Sequence, residues 1–66
     1  MILREFVKKE RKKYGLTQIV AARKAGVGLR FIRDLEQGKV SMRMDKVNQL
    51  LELFGAELGV VPLRRE

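Results

Sequence analysis

Three observations predict an all-α domain of four short helices followed by a short C-terminal β-strand that pairs across a dimer. Apolar side chains recur at three- and four-residue spacing in four separate segments, a glycine closes each segment, and the residues beyond alternate with a period of two. The 66 residues leave room for one domain, which at this size buries only about 60% of the surface that its unfolded chain exposes. No cysteine or histidine is present, so disulfides and the usual zinc ligands are missing. Oligomerisation is the remaining way to reinforce so small a core, and a homodimer is expected.

The first helix is predicted over residues 2–13. Leu3, Phe6, Val7 and Tyr14 form its apolar stripe, Lys8, Lys9, Lys12 and Lys13 occupy its other faces, and Gly15 ends it. Thr17 is placed to cap a second helix over 18–25, stopped by Gly26. After "GVG" a third helix runs to about Gln37, with Phe31, Ile32, Leu35 and Glu36 inward, and Gly38 stops it. A fourth is expected over 43–54 on Met44, Val47, Leu50, Leu51 and Phe54, behind a cap at Ser41 and ahead of Gly55. In "AELGVVPLRRE", Ala56, Leu58 and Val60 alternate with Glu57, Gly59 and Val61 as a strand that Pro62 closes. The chain thus divides into a helical domain at 1–55 and a dimerisation strand with a mobile tail at 56–66.

Fifteen Lys and Arg against eight Asp and Glu give a net charge of +7, which points to a polyanionic partner. The opening "MILREFVKKERKK" lacks the apolar core of an export signal, and no stretch approaches the roughly 18 apolar residues of a membrane span. A soluble, cytoplasmic protein without a membrane partner is expected. Without histidine or cysteine, with scattered carboxylates and with no cleft expected between four short helices, neither catalytic residues nor a metal or cofactor is assigned.

The centre of the chain carries the functional signal. Two helices joined by a glycine-containing turn, the second bearing exposed basic residues near its start, form a helix-turn-helix whose second helix can enter the DNA major groove. Ala21, Ala22 and Ala25 permit close approach of the two helices, and Val27 and Ile32 fill the crevice between them. Thr17, Gln18, Ala22, Gly26, Val27, Ile32, Leu35, Glu36, Gly38 and Lys39 together resemble the XRE (Cro and phage-repressor type) helix-turn-helix family, over about residues 4–55. The resemblance implies the four-helix, lambda-repressor-like fold. The ending, "RFIRDLEQGK" followed by the block "KVNQLLELFGAELGVV", is similar to the HipB-like antitoxins, in which a strand follows four helices. Two departures stand out: Gly28 replaces the usual Ser or Thr cap, and Ile19 and Val20 are apolar where the family often has polar side chains.

Residue roles follow from these two readings. Gln18, in the first turn of the second helix, is expected on a phosphate, as are the backbone at Gly28 and the side chains of Lys39 and Arg43 in the following loop. Leu29, Arg30, Arg33 and Asp34 match the family positions that face base edges. An arginine suits guanine O6 and N7, and Leu29 suits a thymine methyl. Asp34 either accepts from a cytosine amino group or orients Arg30 four residues earlier, the second being favoured. Arg11 and Glu36 are opposite charges on inward faces and are expected to pair as a structural clasp. Met42 and Met44 are read as apolar filler, and Phe54, Leu58 and Val60 as dimer interface.

These residues predict a sequence-specific repressor that binds double-stranded DNA at a palindromic operator. The HipB-like resemblance implies an antitoxin that autoregulates a toxin-antitoxin operon, with a HipA-like serine/threonine kinase toxin as partner. The alternative is a stand-alone regulator of the same family.

Overall fold

The computed structural model describes residues 2–63. Four helices follow in order: α1 Leu3–Lys13, α2 Gln18–Ala25, α3 Leu29–Glu36 and α4 Met44–Glu52. Helix α3 lies at the centre of the packing, touching both α1 and α2, while α4 closes the far side against α2. Val7, Ile32, Leu35 and Leu50 are the largest fully buried side chains. Ala21 and Ala22 are also buried, which lets α2 approach its neighbours at the separation that small side chains allow.

Local chemistry accounts for where α2 begins and where α2 and α3 end. The Thr17 hydroxyl accepts the Val20 N–H at 3.1 Å, satisfying one of the unpaired donors at the start of α2. At its other end Gly26 takes φ 74°, and the Val27 N–H reaches back to the Ala22 carbonyl at 3.0 Å, the six-to-one closure of a glycine-terminated helix. Gln49 of α4 then donates to the carbonyls of Ala25 and Gly26, both at 2.9 Å. The left-handed φ is what favours glycine here; a Cβ would also stand 2.9 Å from that amide nitrogen, so the Gln49 side chain would have to shift.

Two expectations at the fourth helix are corrected. It begins at Met44 with Arg43 at the cap position, so Ser41 lies too far upstream to cap it and no side-chain cap bond forms. Met44 is consequently in the first, outermost turn and is 72% exposed rather than in the core. Met42 does pack against the core.

Beyond Gly55 the residues described form no ladder with any other part of the chain. Leu58 and Val60 stand exposed, and the segment is held at its base where the Leu58 N–H donates to Asn48 Oδ1 at 2.7 Å. A strand needs a neighbour, and among the described residues a single chain offers none. Phe54 lies in the chain's own core and stacks on Tyr14 with ring centroids 6.0 Å apart. Its surface is therefore largely spent before any partner arrives. Leu63 is exposed, and the rest of the expected tail, 64–66, lies outside the described residues.

Candidate nucleic-acid interface

A carboxylate at the end of α3 draws three elements together. Glu36 accepts two bonds from the Arg11 guanidinium, Nε to Oε2 at 2.8 Å and Nη2 to Oε1 at 3.0 Å, in the fork geometry that makes such pairs strong. Arg11 Nη1 also donates to the Leu16 carbonyl at 2.9 Å, tying in the turn between α1 and α2. The Gln18 amide donates to Glu36 Oε1 at 3.3 Å, adding the start of α2. The two charged side chains are 11% and 5% exposed. Hydrogen bonding to Glu36, opposed by partial burial, holds the Arg11 guanidinium above its ordinary pKa. The clasp expected from the sequence is present, and Gln18 belongs to it.

With both ends of the bihelical unit held, α3 presents its outer face. Arg30 and Arg33 are exposed and one turn apart, and no carboxylate among the described residues pairs with either. Leu29 is half-buried and packs against the core, which leaves part of its side chain for contact. Gly28, the cap residue of α3, is exposed and supplies no side-chain bond, so backbone N–H groups at that helix start remain open.

Asp34 behaves differently from the expectation. It pairs with Lys39 at 3.7 Å, not with Arg30. The reversal at Gly38, φ 88°, sends the Lys39 N–H back to the Asp34 carbonyl at 3.0 Å and brings the lysine over the last turn of α3. Arg43 is likewise engaged, its Nη2 2.7 Å from Asp45 Oδ2 and its Nε donating to Oδ1 at 3.1 Å. That hydrogen bonding holds the Asp45 carboxyl below its ordinary pKa. Both loop cations expected on phosphate therefore carry a carboxylate in the free protein.

The helix-turn-helix family model matches residues 7–61, the span that contains all four helices from Val7 onward. The chain belongs to the helix-turn-helix family. One relative, an uncharacterized HTH-type transcriptional regulator, y4mF, of Sinorhizobium fredii (strain NBRC 101917 / NGR234), is 45% identical over 51 residues, covering 77% of this chain and 67% of that relative. No solved structure matches. Family membership agrees with the geometry, since the glycine turn at 26 and the clasp at Arg11 and Glu36 hold the bihelical unit in one arrangement.

Sequence reasoning missed several contributors. Gln49 and Asn48 are ordinary polar residues in a helix until the fold places them against the Gly26 turn and the Leu58 backbone. No local pattern could have marked them. No helix among the described residues is long and apolar enough to cross a membrane.

Proposed function

We propose that the protein is a sequence-specific DNA-binding transcriptional regulator, acting as a homodimeric repressor on a palindromic operator. The observation that carries this reading is the exposed pair Arg30 and Arg33 on the second helix of a clasped helix-turn-helix. In this reading Leu29, Arg30, Arg33 and Asp34 face base edges, while Gln18, Gly28, Lys39 and Arg43 position the phosphates. The name of the Sinorhizobium relative supports regulation of transcription. Arg33→Ala should cost about 1 to 3 kcal/mol on an operator selected from random duplexes and relax preference at one base pair. Unchanged affinity and preference would reject this reading face.

Dimerisation supplies what the single chain lacks. Residues 56–61 pair antiparallel with their copy across a two-fold axis, covering Leu58 and Val60 and holding two recognition helices about 34 Å apart for successive major grooves. A chain ending at Gly55 should sediment as a monomer of low operator affinity, whereas a truncated dimer of full affinity would move the interface elsewhere. The similarity of "KVNQLLELFGAELGVV" to HipB-like antitoxins supports a finer role, an antitoxin with a HipA-like kinase toxin. A kinase-like reading frame beside this one, and co-purification of its product, would support that role. Absence of both would leave the stand-alone regulator.

A further inference from the structure

The N-terminal turn of α1 reaches the loop that follows α3. Arg4 lies across the reversal at Gly38: a Cβ on that glycine would stand 2.7 Å from Arg4 Nη1 and 3.2 Å from its Cδ. Arg4, Leu35, Gly38, Lys39 and Val40 line one shallow depression there, with Leu3 beside them. Arg4 is exposed, and no carboxylate among the described residues stands within ion-pair distance of it. Its neighbours in charge differ in this respect, since Lys39 and Arg43 both hold aspartates.

From this placement we infer that Arg4 is a further DNA-backbone contact, a guanidinium laid beside the α3–α4 loop to take a phosphate together with Lys39. The inference rests on the DNA-binding reading and extends it to a helix outside the helix-turn-helix. Three features favour a phosphate there. The missing side chain at Gly38 gives the arginine room to lie against the loop, which limits the freedom it would lose on binding. Its planar fork matches two phosphate oxygens. No carboxylate must be displaced first, so the whole charge is available to the polyanion. Local sequence gives no hint of this, because residues 4 and 38 meet only through packing of α1 on α3.

The test measures binding of the full chain to a short random-sequence duplex over a range of salt concentrations. Arg4→Gln keeps a polar stem over Gly38 and removes the charge. It should weaken binding several-fold at low salt and reduce the slope of log affinity against log salt by about 0.9, the value of one phosphate contact. Arg4→Lys should keep most of that slope. If Arg4→Gln binds with the wild-type slope while Lys39→Gln lowers its own, the Arg4 contact is overturned and the DNA reading stands. If the wild-type chain binds no duplex, both fall. A second measurement needs no substitution: the Arg4 Nε–H resonance should move when duplex is added, and an unmoved resonance would overturn the contact.

Discussion

Two ion pairs of nearly equal length behave as opposites. Arg11 meets Glu36 at 2.8 Å with side chains 11% and 5% exposed, and Arg43 meets Asp45 at 2.7 Å with side chains 72% and 62% exposed. Geometry alone would rank them equal. Burial separates them, because water and salt screen the outer pair while the charges of the inner pair are largely shut off from both. The inner pair spans 25 positions of sequence and fixes the register of α1, α2 and α3, whereas the outer pair spans two and constrains only its own loop. A third pair, Asp34 with Lys39 at 3.7 Å, lies between them at 30% and 54% exposure.

The sharpest way to break this contrast is Glu36→Ala. It strands the Arg11 guanidinium and releases Gln18, and should lower stability by about 3 to 5 kcal/mol, read by thermal or denaturant unfolding. Replacing Arg11 and Glu36 together by apolar residues of similar volume should recover much of that loss. A Glu36→Ala chain that unfolds like the wild type would mean that the inner pair is as well solvated as the outer one.

Asp34→Ala probes the middle pair with a different readout. Stability should change little, while affinity for random-sequence duplex at low salt should rise several-fold, because Lys39 no longer exchanges a carboxylate for a phosphate and a negative charge leaves the DNA face. Weaker binding would show that Asp34 itself serves the contact, and unchanged binding that its pairing with Lys39 does not compete with DNA. The smallest effect belongs to the outer pair. The Asp45 carboxyl should titrate below the usual carboxylate range, and Arg43→Ala should return it upward, as followed by side-chain carboxyl NMR. The sign follows from the lowered value: any stability this pair contributes is present above the ordinary carboxylate pKa and fades as pH falls through the depressed one. The exposure of both side chains makes that contribution too small to shift the melting curve.

Taken alone, the sequence determined the four helices, their order and most of their ends, since Thr17, Gly26 and Gly38 act on neighbouring backbone within one turn. Apolar spacing likewise marked Val7, Ile32, Leu35 and Leu50 as core, and the inward positions of Arg11 and Glu36 foretold their pairing. Contacts that join distant segments had no such signature. Only the tertiary structure chose Lys39 over Arg30 as the partner of Asp34, because the Gly38 reversal folds the loop back on α3. It also moved Met44 to the surface by starting α4 there, put Gln49 against the Gly26 turn and laid Arg4 over Gly38. Periodicity reports which face of a helix turns inward, but the neighbour that face meets depends on how whole helices pack, and that is a property of the assembled core.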